Sequence, residues 1–157
     1  MWTVIDSPID ELRIVQHDGG ITAIEFSPFE ESAAIGPRND DDPVLADARA
    51  QLTAYFAREL KEFDLPVAPQ GTPFQQRVWA ELQRIGYGET ASYGQVAHRI
   101  GMTNAASRAV GLANGRNRLP IVIPCHRVVG ANGSRTGCAG GIPRKQTLLE
   151  LEQEGLF

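Results

Sequence analysis

The chain has 157 residues, 42% of them hydrophobic and 22% charged, with a formal net charge of −4, the make-up of an ordinary globular protein long enough for one domain or two small ones. No window nears the roughly 18 consecutive apolar residues of a membrane span. MWTVIDSPID has no basic region followed by an apolar run, as a signal peptide would, and two cysteines make no disulfide framework, so the expectation is a cytoplasmic protein with reduced thiols. The charge is unevenly placed: residues 1–71 carry 14 Asp/Glu against 5 Lys/Arg, residues 72–157 carry 5 against 10, and no acidic residue falls between Thr90 and Leu149. Such a stretch can lie along a polyanion without repulsion, or it can be a solvated basic surface with no partner.

In chain order, WTVI, LRIV and ITAIEF are β-rich runs, and HDGG is a turn signal between the last two, which predicts a small antiparallel sheet. A loop follows. Asp42 then caps a helix with Pro43 at its first position; its apolar face is Leu45, Ala48, Leu52, Tyr55 and Phe56, and the pattern runs to about Leu60. LPVAPQGTP reads as a linker between a 1–70 N-terminal domain and a 71–157 C-terminal domain. Thr72 and Pro73 open the next helix, lined by Phe74, Val78, Leu82 and Ile85. Ser92 with Gln95 fits a capping box for the short helix YGQVAHRI, which Gly101 stops, and AASRAVGLAN forms another, stopped by Gly115. Two short helices joined by a tight turn predict a helix-turn-helix. Pro143 is expected to open a last helix, RKQTLLELEQ. The predicted fold class is therefore α+β: a small N-terminal antiparallel sheet plus helix, then a mainly helical C-terminal domain.

The chemistry concentrates in IVIPCHRVVG, residues 121–130. Structural zinc needs four ligands at short spacings, and Cys125, His126 and Cys138 are too few. A Cys125–Cys138 disulfide fits the spacing but not a reducing compartment. A buried inert thiol suits the IVI flank; against it, two ionisable residues follow Cys125, and such neighbours make a thiol reactive. On an extended backbone Cys125 and His126 would face opposite ways.

PCHRV, preceded by SYGQVA and RAVGLANGRN and followed by GG and LLELE, resembles the O6-alkylguanine-DNA alkyltransferases over the whole chain, most strongly from about Gly71 onward. The resemblance implies DNA repair by direct reversal. An alkylated guanine rotates out of the duplex and its alkyl group passes irreversibly to Cys125, once per molecule and without a cofactor or metal; O4-alkylthymine is a second implied substrate. It also implies roles. His126 takes the thiol proton through a water, Glu152 orients His126, Tyr93 donates a hydrogen bond to the flipped base, and Asn117 holds the turn around the active-site segment. Arg108 is the finger that fills the gap left by the base, with Ala106, Ser107 and Tyr93 beside it on the DNA. Cys138, Ala139 and Pro120 wall the alkyl pocket. The implied partner is double-stranded DNA, entered through the minor groove with little sequence specificity, by a monomer; cooperative assembly on DNA is left open.

Read without the family, Glu152 is a surface helix charge, Tyr93 a core aromatic, Arg108 a phosphate contact or solvated charge, and the small residues simply packing. Three features depart from the family pattern. Cys138, in TGCAGG, stands where a tyrosine usually walls the pocket, so either larger O6-adducts are expected to fit or methyl to be held less well; the bland reading is a neutral substitution. The turn MTNAAS is one residue longer than in many relatives, and Ser107 replaces a common alanine. The alternative reading is a DNA-lesion-binding module without chemistry; a Cys–His hydrolase that turns over many times is more remote.

Overall fold

The computed structural model describes residues 1–32, 35–130 and 140–154. Its contacts divide the chain into two compact units, Met1–Pro69 and Gln70–Phe157.

In the first unit, β1 (Trp2–Ile5), β2 (Leu12–His17) and β3 (Gly20–Phe26) form an antiparallel sheet in the order β1-β2-β3. Trp2 lies opposite Val15, and Leu12 opposite Phe26. Asp18 and Gly19 both take positive φ, +50° and +81°, the backbone of a two-residue hairpin turn whose twist matches the strands it joins. Helix α1 (Pro43–Phe56) packs on this sheet through Leu45, Ala48, Leu52 and Tyr55. The Asp42 carboxylate accepts from the Leu45 N–H at 3.1 Å, the cap the sequence predicts.

Helix α1 stops at Phe56, short of the expected Leu60. Arg58 sits at φ +62°, its N–H bonds back to Tyr55 O at 3.0 Å, and the Glu59 N–H reaches Ala54 O at 2.9 Å. This is a Schellman closure. Its left-handed residue is an arginine rather than a glycine, so nothing in the residue types marks the stop.

The second unit holds α2 (Pro73–Leu82), β4 (Ala91–Ser92), α3 (Tyr93–Arg99), α4 (Ser107–Gly115), β5 (Val128–Val129) and α5 (Gly141–Glu154), with single 3₁₀ turns at Asn104–Ala106 and Cys125–Arg127. Thr72 and Ser92 both form full capping boxes, with Gln75 and Gln95. Gly101, at φ +83°, ends α3 in a second Schellman closure, with its N–H on His98 O and the Met102 N–H on Ala97 O. Ile85, expected on the α2 face, is buried in the turn just beyond it. Val78, Leu82, Val96, Val110, Leu119, Ile123 and Val128 make the core. The Trp79 indole N–H donates to Ala113 O at 2.9 Å and ties α2 to α4.

Three further features differ from expectation. Cys125–Arg127 is a 3₁₀ turn, not extended chain; successive side chains on it still diverge, by about 120°. Helix α5 begins at Gly141, so Pro143 lies inside its first turn, where no N–H is needed. The parallel ladder of β4 and β5, Ala91 opposite Val128 and Ser92 opposite Val129, has no signal in two-residue segments.

Candidate active site

The segment leading to Cys125 is bent twice. The Val122 N–H donates to Pro120 O at 2.9 Å across Ile121, whose φ is +76°. A β-branched residue in that region is an outlier. The Cys125 N–H then donates to Ile123 O at 2.8 Å across Pro124, at φ −80° and ψ 66°, an inverse γ-turn. Strain of this kind persists only where the surroundings over-determine it. Here Asn117 supplies much of the hold. Its amide donates to Ile123 O at 2.8 Å and its carbonyl accepts from the Leu119 N–H at 3.0 Å, both buried. Asn114 of α4 donates to Cys125 O at 3.3 Å. The thiol-bearing residue is thus pinned through its own backbone and is fully buried.

His126 and Glu152 are also buried, at 0% and 1% exposure. Lys145, Leu148, Leu149 and Glu152 share the inward side of α5 at helical spacing, which brings Glu152 to the 3₁₀ turn. His126 Nε2 lies 2.6 Å from Glu152 Oε2. Arg127 donates to both carboxylate oxygens, Nε to Oε1 at 2.8 Å and Nη2 to Oε2 at 3.0 Å. The Gly88 N–H adds a bond to Oε1 at 3.2 Å. The third guanidinium nitrogen, Nη1, donates to Ile85 O at 2.7 Å.

These contacts set the charge states. Burial pushes the His126 pKa below its ordinary value; the Glu152 hydrogen bond and charge pull the other way, and Arg127 and Lys145 reinforce the lowering. His126 is therefore neutral at neutral pH. Burial alone would raise the Glu152 pKa, but the hydrogen bond from His126 and the hydrogen bonds and charge of Arg127 outweigh it and bring it down to about 2. A carboxylate at 2.6 Å from Nε2 fixes the tautomer: Nε2 carries the proton and donates it, and Nδ1 keeps its lone pair. Nδ1 has no hydrogen-bond partner among the described residues.

The structure thus brings Cys125, His126, Glu152 and Asn117 into one buried cluster. Tyr93 opens α3 directly after the β4–β5 ladder, so pairing of Ser92 with Val129 ties it to the cysteine segment. Its ring faces Gly111 of α4, where a Cβ would lie 3.7 Å from the ring carbons. Pro120 is buried in the bent loop. Arg108 is exposed on α4, with Ala106 and Ser107 half-buried at its start. Leu112, 61% exposed, and Arg116 follow Arg108 at one-turn spacing. Cys138 and Ala139 lie outside the described residues. Sequence reasoning missed Arg127, Asn114, Gly88 and Lys145 as parts of the cluster. Arg127 had a signal in its place beside His126 in an apolar run; the other three had none.

This fold and cluster define an α+β protein of two units whose second unit buries a cysteine beside a histidine held by a carboxylate. Residues 73–154 match the model of the 6-O-methylguanine DNA methyltransferase DNA-binding domain, and residues 1–69 match that of the ribonuclease-like domain of the same family. A methylated-DNA–protein-cysteine methyltransferase of Mycobacterium tuberculosis is 48% identical over 152 residues, 97% of this chain and 92% of its own. One from Methanosarcina acetivorans is 44% identical over 153 residues, covering 96% of this chain and 97% of its own. The crystal structure of Mycobacterium tuberculosis OGT in complex with DNA has a TM-score of 0.88 at 48% identity, covering 98% of this chain and 93% of that one. The chain belongs to the 6-O-methylguanine DNA methyltransferase family.

Proposed function

We propose that this chain repairs alkylated DNA by moving the alkyl group from O6-alkylguanine to Cys125, in a single irreversible turnover. The observation that carries the reading is the buried Cys125 next to a neutral His126 whose Nε2–H is held at 2.6 Å by Glu152. That arrangement leaves Nδ1 as the base. His126 takes the thiol proton through Nδ1; the sulfur attacks the alkyl carbon, forming S–C as C–O6 breaks. The electron pair stays on the guanine oxygen and a proton returns to the base, giving guanine and an S-alkylcysteine. Tyr93, at the start of α3, donates a hydrogen bond to the departing base. Asn117 and Asn114 keep the attacking residue fixed. The alkyl group arrives on the substrate, so the reaction calls for no cofactor. O4-alkylthymine, with the same kind of alkyl–oxygen bond, is the second substrate on this reading.

Helices α3 and α4 act as a helix-turn-helix on duplex DNA, with α4 in the minor groove. Its exposed face of Arg108, Ala109 and Arg116 suits phosphates and close approach. Arg108 occupies the space of the extruded base. The curated relatives are named for this chemistry, and one solved relative is described in complex with DNA.

The test is intact mass after incubation with duplex DNA carrying O6-methylguanine, beside Cys125→Ala. A gain of one methylene on Cys125, absent in the variant, with repair ending at one lesion per molecule, is the expected result. Tight, salt-sensitive binding with no mass change would instead make the protein a lesion-binding module.

A further inference from the structure

We propose that Arg127 is a positioning residue for alkyl transfer: by engaging both oxygens of Glu152 it holds the relay as a carboxylate beside a neutral imidazole, so that His126 can accept the thiol proton. The inference rests on the alkyl-transfer reading above and goes past it to a residue that touches neither the sulfur nor the base.

The geometry carries the argument. Glu152 accepts hydrogen bonds from His126 Nε2, Arg127 Nε, Arg127 Nη2 and the Gly88 N–H. Two come from one planar guanidinium, the fork that matches a carboxylate. That guanidinium cannot swing away, because Nη1 is fixed to Ile85 O and the group sits 5.9 Å from the Tyr87 ring centroid. Arg127 itself is 6% exposed. A buried cation must have a partner, and here the partner is the carboxylate that also orients the histidine.

The consequence is a matter of charge balance. Without Arg127, the desolvated carboxylate would have His126 as its nearest source of positive charge. The imidazole would then keep a second proton to form that pair, and a protonated imidazole is no base. With Arg127 present, Glu152 is already neutralised, and a second proton on His126 would add a cation beside a cation. Lys145 of α5, which donates to Val128 O, acts in the same sense. Among the described residues, the charged groups acting on His126 are Glu152 and Lys145 from α5 and Arg127 from its own turn. Cys125 precedes it, Tyr87 flanks Arg127, and the buried residues of α2, which packs on the same turn, are Val78, Trp79 and Leu82.

The experiment measures single-turnover alkylation of Cys125 against pH, using free O6-benzylguanine as donor so that DNA binding does not enter. Arg127→Gln should move the acid limb of the profile to higher pH. Arg127→Lys, which keeps the charge and loses the fork, should leave the limb near its wild-type position with a lower plateau. A lower plateau in Arg127→Gln with an unmoved limb would mean a merely structural role and would overturn the proposal. Should Arg127→Gln fail to fold, imidazole ¹⁵N shifts of the wild-type protein still decide: a neutral Nε2–H tautomer of His126 at pH 7 is expected, and an imidazolium there refutes the inference. If wild-type protein transfers no alkyl group, it is the functional reading that fails, and the nitrogen shifts still report the charge state.

Discussion

Glu152→Gln is the sharpest single perturbation of this cluster, because it removes one charge and almost no volume. Glu152 Oε2 accepts from His126 Nε2 and Arg127 Nη2; Oε1 accepts from Arg127 Nε and the Gly88 N–H. A glutamine offers one acceptor oxygen and one NH₂. Whichever way the amide turns, its NH₂ meets an Arg127 N–H, a donor against a donor, and the buried guanidinium loses its counter-charge. Breaking a buried pair by removing one partner costs about 3–5 kcal/mol, a large share of the roughly 5–15 kcal/mol by which a domain is stable. Replacing Arg127 as well, by methionine, removes the stranded cation and should recover part of that loss. The assay is urea unfolding followed by fluorescence. The chain has two tryptophans, Trp2 and Trp79, so a Trp2→Phe background leaves Trp79 to report on the second unit. With a slope of about 1.5 kcal/mol per molar urea, the midpoint should fall by about 2–3 M. A loss below about 1 kcal/mol, or a double variant no more stable than Glu152→Gln, would refute the view that this carboxylate balances Arg127.

Other outcomes follow from the same geometry. The folded pKa of His126 lies below its unfolded value of 6.5, so the unfolded chain takes up the proton first, and stability should decline as pH falls below 6.5. Glu152, lowered from 4.5 to about 2, contributes stability that is complete above 4.5 and is lost as pH falls towards 2; midpoints measured from pH 8 to pH 3 should show both declines, and a flat profile between 6.5 and 4.5 would contradict a neutral buried His126. Asn117→Ala leaves the Leu119 N–H without its partner in the core and releases Ile123 O; the expected loss is about 1–3 kcal/mol for the stranded group, read from the urea midpoint, with a slower alkylation of Cys125. On the proposed function, Arg108→Ala should slow repair of O6-methylguanine in duplex DNA more than it slows reaction with the free base. Equal losses on the two donors would take Arg108 out of DNA recognition.

The helix starts were legible because capping is local. Asp42, Thr72 and Ser92 each accept from an N–H three residues on, and side chains that close such a loop can be read from the sequence. The stop at Gly101 was legible for the same reason. The stop at Phe56 was not, since Arg58 takes the left-handed conformation without being a glycine. The pairing of β4 with β5 was hidden too: two residues carry no period, and the ladder joins segments more than thirty positions apart.

Within the site, the sequence by itself determined the chemical inventory: a cysteine next to a histidine, a glutamate on an amphipathic final helix, and an asparagine just ahead of the apolar segment. Only the tertiary structure decided how these groups are charged and held. Burial turns His126 neutral, the fold carries Arg127 to Glu152 across 25 positions, and the Gly88 N–H reaches the same carboxylate across 64. The physical reason is that desolvation and Coulomb interactions depend on distances through space. A linear pattern records which groups are present and their local periodicity. It does not record which cation will neutralise a given buried carboxylate.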